Sequence, residues 1–259
     1  MLRGSFEPRI APPSYARWSG VYFGGQLGMS SATVNYSQST SGLSDYILRN
    51  SVMQDDVSNM QTMGNDTRTH TNFGGFVGYN FELTDGIVLG GELNYSKVGL
   101  RSSVQDSLTR IIPNDEGAPT GHHYYYTTTV TGQASMNLKD VVSLRARAAY
   151  EIGQFLPYAF AGLAVGRADY LRQVTVNYTT ADVPDAGFTA APPPNFGPVS
   201  NTDAGANAIA YGSAVGLGFD VSLLPNVFLR AEWEYIYFVP LHQIQMSLNT
   251  GRVGIGFKF

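Results

Sequence analysis

The sequence predicts an all-β fold, an eight-stranded antiparallel transmembrane β-barrel with short periplasmic turns and long extracellular loops. Three observations lead there. Only 14% of the 259 residues are charged against 43% hydrophobic, whereas a typical soluble domain carries roughly 25% charged residues. No apolar run approaches the roughly 18 residues that a membrane helix needs, the longest lying near Phe155 to Gly166. Finally, apolar residues alternate with Gly and polar residues at period two, which is the strand signature. In hydrocarbon every backbone polar group must be bonded internally, so only helices and closed barrels can span, and the helices are excluded. An aromatic content of 12% with a net charge of only -4 excludes disorder as well.

The strands follow in order. The first runs from about Trp18 to Tyr36, with Val21, Phe23, Leu27 and Met29 on one face. Alternation is cleanest in the second, where Phe73, Gly75, Val77, Tyr79, Phe81 and Leu83 interleave with Asn72, Gly74, Phe76, Gly78, Asn80 and Glu82. Thr84-Asp85-Gly86 then holds an Asp-Gly hairpin signal, and Ile87, Leu89, Leu93 and Tyr95 resume the pattern. Leu144, Ala146, Ala148, Tyr150 and Ile152 form the fourth strand, turned at Gly153-Gln154 into a fifth from Tyr158 to Asp169. In this strand Ala159, Ala161, Leu163 and Val165 compete with Tyr158 and Phe160 for the apolar face. Ile209, Tyr211, Val215, Leu217, Phe219 and Val221 form the sixth, and Leu224-Pro225-Asn226 turns it into Val227, Leu229, Ala231, Trp233, Tyr235 and Tyr237. The last carries Val253, Ile255, Phe257 and Phe259 against Arg252, Gly254, Gly256 and Lys258.

The connections near Asp85, Gln154 and Pro225 are tight, while those near 37–70, 101–123, 171–206 and 239–249 are long. Short turns at one end and long loops at the other are the outer-membrane pattern, with the long loops outside the cell. Tyr124 to Thr131 and Tyr170 to Tyr178 are predicted to extend their strands above the membrane. Residues 1–17 read as a periplasmic tail and 18–259 as the barrel. The N-terminus has no basic region followed by an apolar core, so the chain reads as a processed form.

A soluble barrel with an apolar interior, such as a lipocalin, would show the same alternation. Glycine separates the two. The polar faces hold Gly74, Gly78, Gly90, Gly212, Gly216, Gly218, Gly254 and Gly256, each weakening a water-facing strand by roughly 0.5–1 kcal/mol relative to Ala. A lumen barely wide enough for side chains needs such residues beside large charged ones. The inward face is therefore predicted to carry Glu82, Glu92, Glu151, Asp220, Glu232 and Glu234 together with Arg145, Arg147, Arg230, Arg252 and Lys258. These charges must pair, because an isolated buried ion costs several kcal/mol. Arg147 and Arg230 are the natural hubs, since one guanidinium can bridge two carboxylates. Aromatics such as Tyr79, Phe81, Tyr95, Tyr150, Trp233, Tyr235 and Phe257 cluster toward strand ends, as interfacial girdles do.

Four segments carry a family resemblance: Trp18-Ser-Gly-Val-Tyr-Phe-Gly-Gly-Gln-Leu-Gly, Ser143-Leu-Arg-Ala-Arg-Ala-Ala-Tyr, Phe155-Leu-Pro-Tyr-Ala-Phe-Ala-Gly-Leu-Ala and Arg252-Val-Gly-Ile-Gly-Phe-Lys-Phe. The chain resembles the small outer-membrane β-barrel proteins of alphaproteobacteria, the porin-like and opacity-type group. The resemblance covers strands and tight turns and leaves the long loops unmatched. It implies an outer-membrane location, contact with outer-membrane lipid and lipopolysaccharide, and no cofactor. Val253, Ile255, Phe257 and Phe259 look like the assembly signal read by the outer-membrane insertion machinery.

Candidate sites beyond the lumen are sparse. The absence of Cys removes thiol catalysis, disulfides and thiolate metal sites. His70, His122, His123 and His242 all fall in or beside long loops. Relatives of this type include hemin binders, which makes His122, His123 and Tyr124 the hemin candidates. Neighbouring strand residues face opposite ways, so the two histidines could share one metal only at a turn, and a solvated rim is the competing account. Asp55, Asp56, Asp66 and His70 share the first loop, but spacing within a loop fixes no geometry, so no enzyme is predicted. Ala11-Pro-Pro-Ser and Ala191-Pro-Pro-Pro favour extended polyproline conformations. Through the tail a peptidoglycan or periplasmic partner is conceivable, as in relatives, and the loops could meet envelope or surface proteins. No basic run suggests nucleic acid. The chain thus reads as a plugged barrel that anchors its loops and supports envelope integrity, with a narrow porin or hemin-uptake protein as the alternative.

Overall fold

The computed structural model describes residues 17–60, 63–84 and 86–259. Eight antiparallel strands close into a barrel: β1 (Gly20–Asn35), β2 (Asn65–Thr84), β3 (Ile87–Pro113), β4 (Tyr124–Tyr150), β5 (Phe155–Asp182), β6 (Phe196–Leu224), β7 (Val227–Phe238) and β8 (Gln245–Lys258). Two short helices, α1 (Ser41–Ile47) and α2 (Gln54–Ser58), lie between β1 and β2. The ring closes where β8 pairs with β1, Val253 opposite Leu27 and Phe257 opposite Phe23. Residues 1–16 of the predicted tail, and Asp85 of the first tight turn, lie outside the described residues.

Burial is inverted relative to a water-soluble domain. Leu163 is 70% exposed, Leu27 64% and Leu144 63%, whereas Arg145 and Arg230 are each 2% exposed. A contiguous apolar band of this size on a barrel exterior marks contact with lipid. Tyr158 and Phe160 point into the lumen and Leu163 and Val165 out of it, which settles the face of β5 that the sequence leaves open. The crowding that calls for glycine is direct. A Cβ at Gly256 would stand 2.2 Å from the Phe228 ring, and one at Gly78 would stand 2.3 Å from the Tyr22 hydroxyl.

The bounds of the predicted long loops need correction, because much of the second and third is strand. β3 runs on to Pro113 and β4 begins at Tyr124, β5 reaches Asp182 and β6 begins at Phe196, and β8 begins at Gln245. Only 36–64, 114–123, 183–195 and 239–244 connect strands at this end. The physical reason lies in the solvent. Above the membrane the outer face meets water, so Thr and Ser replace the apolar row there. Cross-strand hydroxyl pairs such as Thr109 with Thr129 at 2.9 Å and Thr175 with Ser200 at 2.7 Å then stabilise the sheet.

Candidate functional site

The lumen is built in layers that can be followed along one strand. On β7 the inward residues are Phe228, Arg230, Glu232, Glu234, Ile236 and Phe238, all buried. On β3 the same order appears as Val88, Glu92, Asn94, Ser96, Val98 and Leu100. Period-two alternation puts all of these on one face, so the charges form a middle layer. Toward the periplasm it is closed by Trp18, Tyr22, Phe76, Leu156, Tyr158, Phe160 and Phe228. Toward the outside it is closed by Leu100, Met136, Leu138, Ile236, Phe238, Ile244, Met246 and Leu248.

Within that layer four arginines meet four acids. Arg230 donates from Nε to Asp220 Oδ1 at 2.9 Å and from Nη1 to Glu92 Oε2 at 2.7 Å. Arg147 donates from Nη2 to Asp220 Oδ2 at 2.8 Å and from Nη1 to the Tyr22 hydroxyl at 2.8 Å, and it reaches Glu92 at 3.3 Å. Arg145 donates to Glu232 at 2.8 Å and to Ser143 Oγ at 2.8 Å, and also pairs with Glu234. Arg252 joins Glu232 at 2.7 Å and Glu234 at 2.8 Å. Two tyrosines supply further donors, Tyr22 to Glu92 at 2.9 Å and Tyr158 to Glu232 at 2.8 Å. Glu92 thus faces Arg145, Arg147 and Arg230 at once, and Arg145 faces Glu92, Glu232 and Glu234, which makes Glu92 and Arg145, rather than Arg147 and Arg230, the most connected members.

Buried ions are tolerable only with such dense pairing, because desolvation of each costs several kcal/mol before attraction and hydrogen bonds offset it. Aromatic faces contribute too. Arg230 lies 3.9 Å from the Phe76 ring centroid and Arg147 3.8 Å from that of Tyr158, distances at which the ring quadrupole attracts a cation. Between the charges and the outer apolar layer a space of about 10 Å³ remains, lined by Ser30, Asn94, Thr250 and Arg252 among others. That is room for about one water.

Three predicted lumen charges stand apart. Glu82 is exposed and Glu151 half-buried near the periplasmic end, and neither makes an ion pair among the described residues. Lys258 is buried, donates to Ser222 Oγ at 3.1 Å and lies 3.9 Å over the Trp18 ring. Alternation assigns a face but not a height, and these three occupy the ends of their strands. The predicted lumen network left out Tyr22, Tyr158, Gln26 and Asn94. Tyr22 and Gln26 could have been found from parity alone, since they share the β1 face opposite Phe23 and Leu27.

At the outer rim the histidines are held by aspartates. His122 Nδ1 is 2.6 Å from Asp182 and its ring packs edge-on against Phe188, while His123 Nδ1 is 2.8 Å from Asp115. The hydrogen bond to Asp115 raises the His123 pKa above its ordinary value, and the same bond, with the Tyr124 backbone N–H, lowers that of Asp115. Tyr124 turns inward and lines a cavity of about 760 Å³ with Tyr126, Tyr178 and Phe196, away from the acids that engage the two histidines. His242 stacks on Tyr170 and faces Asp203 at 3.3 Å. Asp55 and Asp56 are on α2, and Asp66 on β2 accepts from Ser102 and Arg68, so the first-loop acids are not assembled around His70. No group of three His, Cys, Asp or Glu able to hold a metal occurs among the described residues.

Val253, Ile255, Phe257 and Phe259 all face outward. Phe259 stacks on Phe23 with centroids 5.7 Å apart, and its N–H donates to the Val21 carbonyl at 2.9 Å.

The family model described as outer membrane protein beta-barrel domain matches residues 10–259. Among solved structures, the attachment invasion locus protein Ail of Yersinia pestis is 14% identical with a TM-score of 0.39, over 93% of this chain and 99% of that one. Neisserial surface protein A is also 14% identical at 0.39, over 93% and 98%. The N-terminal β-barrel domain of Pseudomonas aeruginosa OprF is 13% identical at 0.35, over 90% and 97%. No curated protein sequence matches the chain.

Proposed function

The chain belongs to the outer membrane protein β-barrel family, and from that premise we propose that it is a structural and surface-interaction protein with a plugged lumen, which anchors its extracellular half in the outer membrane and supports envelope integrity. One observation carries the reading: four arginines and four acids pair with one another between two apolar layers. An aqueous pore requires a continuous file of water along unpaired charges, and apolar constrictions on both sides of a self-neutralised layer oppose it. The chain spends its lumen on rigidity and leaves the outer half free to meet partners.

Two accessory roles belong to the same reading. Residues 1–17 act as a periplasmic tail able to reach peptidoglycan or a periplasmic protein. Val253, Ile255, Phe257 and Phe259 serve as the assembly signal for the insertion machinery. Planar-bilayer recording tests the central claim. The wild-type barrel is expected to give no steady conductance, and large, long-lived single-channel steps would reverse the reading in favour of a porin.

A further inference from the structure

Three connections at the outer end of the barrel, 36–64, 114–123 and 183–195, all contribute to the wall of the cavity of about 760 Å³ that Tyr124, Tyr126, Tyr178 and Phe196 line. That volume falls among small-molecule sites, which span roughly 300–1,000 Å³. The rings of Tyr126 and Tyr178 meet at 81° with centroids 5.4 Å apart, and Tyr178 stacks on Phe196 at 5.2 Å. The aromatic wall therefore turns a corner, where one bound group can touch two rings. Tyr46 of α1 adds a fifth ring.

The charge around this wall is one-sided. The three connections carry six acids, Asp45, Asp55, Asp56, Asp115, Glu116 and Asp185, against one arginine, Arg49. Glu116 lines the cavity, and Asp115 accepts from the Tyr124 N–H. After burial and the neighbouring tyrosines, Asp115 raises the Tyr126 pKa, so the negative potential of the rim reaches the rings. Arg49 lines the cavity too, but its guanidinium is engaged: it lies 4.2 Å from the Tyr46 ring centroid and donates to the Tyr46 carbonyl at 3.2 Å. His122 and His123 stand outside the lining, each bound to an aspartate, and the acids stay in excess even with both protonated.

We propose that this cavity binds a small organic cation carrying an alkylated ammonium group, with Tyr126, Tyr178 and Phe196 as the principal contacts and the exposed Glu116 beside them. An aromatic ring attracts a cation through its quadrupole, and the attraction grows as the cation is desolvated. An alkylated ammonium suits such a wall because its methyl groups bury apolar area while its charge stays fixed. A neutral apolar guest would gain nothing from the acids, and an anionic one would be repelled. The contact of Arg49 with Tyr46 is the same chemistry within the chain. The inference goes beyond the plugged-lumen reading and does not depend on whether the lumen conducts, so the two fail separately.

Isothermal titration of the folded full chain in octyl glucoside micelles tests this with three probes: choline, the uncharged alcohol in which carbon replaces its nitrogen, and glycerophosphocholine. Choline is expected to bind saturably and roughly fivefold or more tighter than the uncharged isostere. Glycerophosphocholine, which adds a phosphate, should bind more weakly than choline because the acids repel it. Tyr178→Leu and Phe196→Leu should each weaken choline roughly fivefold, while Tyr178→Phe should keep it, since the ring rather than the hydroxyl makes the contact. Glu116→Lys should weaken choline and leave the isostere unchanged. Folding of each variant is checked by its heat-modifiable gel mobility. No saturable uptake of choline by wild type, equal binding of the isostere, or undiminished binding by both Leu variants would overturn the proposal. Tighter binding of glycerophosphocholine would overturn it in favour of a site for a lipid headgroup.

Discussion

The two halves of the barrel are made from the same strands and obey opposite rules. On β3 below Lys97 the outward residues are Ile87, Leu89, Leu93 and Tyr95 and the inward ones include Glu92, Asn94 and Ser96. Above it the outward residues are Arg101, Ser103, Gln105, Ser107 and Thr109, and the inward ones include Val98, Leu100 and Val104. β3 continues as one strand through this change, although its pairing with β2 ends at Lys97 and its pairing with β4 shifts register between Lys97 and Leu100. What changes is the medium outside, hydrocarbon below and water above, and each half places its apolar side chains toward whichever side excludes water. The upper half is thus an ordinary water-facing barrel, its interior filled by Leu43, Leu48, Met53 and Val57 from the α1–α2 segment against Tyr126, Val130, Val174 and Val176. The lower half has no room for such a plug and fills its interior with paired ions.

The sharpest way to break the comparison is at Glu92, because only the lower half depends on buried charge. Glu92→Gln should cost about 3–5 kcal/mol, the usual effect of removing one partner of a buried ion pair, since three guanidinium groups face it. Urea unfolding of the barrel in lipid vesicles measures this, and a midpoint equal to wild type would show that the network adds nothing to stability. A smaller contrast compares two outward positions. Leu217→Arg places a charge in the lipid-facing band, where Leu217 is 58% exposed, and should cost roughly 2–4 kcal/mol at the bilayer midplane. Thr129→Arg, outward on the upper part of β4, should stay within about 0.5 kcal/mol of wild type, as surface substitutions do. Equal losses at the two sites in vesicles would mean that the boundary between the halves is misplaced.

This boundary also explains what the sequence could show. The lower strands were legible because outward hydrocarbon and inward polar groups impose strict alternation, and the eight strands and their closing turns follow from it. The upper extensions were harder to see. On β3 the apolar residues move from odd to even numbers at Lys97, so the period is interrupted although the strand is not. On β4 they remain on even numbers throughout, from Tyr124, Tyr126 and Val130 to Val142, Leu144 and Tyr150. Yet the early ones are buried and the late ones exposed, because the register shift between Leu138 and Asp140 reverses the faces. Such a bulge leaves no mark in the hydrophobic pattern. For the lumen, parity supplied the charged residues, while their heights and partners needed the register. That is why Glu82 and Glu151 were grouped with Glu92, and why the three-arginine contact of Glu92 could not be foreseen.

The smallest expected effect concerns the outer rim, where the upper half is held by contacts that titrate. His123 and Asp115 meet at 2.8 Å in the β3–β4 connection, and Asp115 also accepts from the Tyr124 N–H. The bond raises the His123 pKa above its ordinary 6.5, so the stability it contributes is complete below that value and is lost as pH rises through the raised one. For Asp115 the shift is downward from 3.8, so its contribution is present above that value and is lost as pH falls through the lowered one. Between these limits both groups are charged and the connection is held most firmly. Amide hydrogen exchange across residues 114–124, corrected for the intrinsic rate, should therefore show more protection at about pH 5.5 than at about pH 8.5. Among the described residues the lower strands carry no such pair on a water-facing turn, and they should show no change over the same range. Asp115→Asn should remove most of the pH dependence, because it takes away the carboxylate at 2.8 Å and leaves His123 only Asp185 at 3.8 Å. The same protection at both pH values in wild type would remove the pair from the account of how the rim is held.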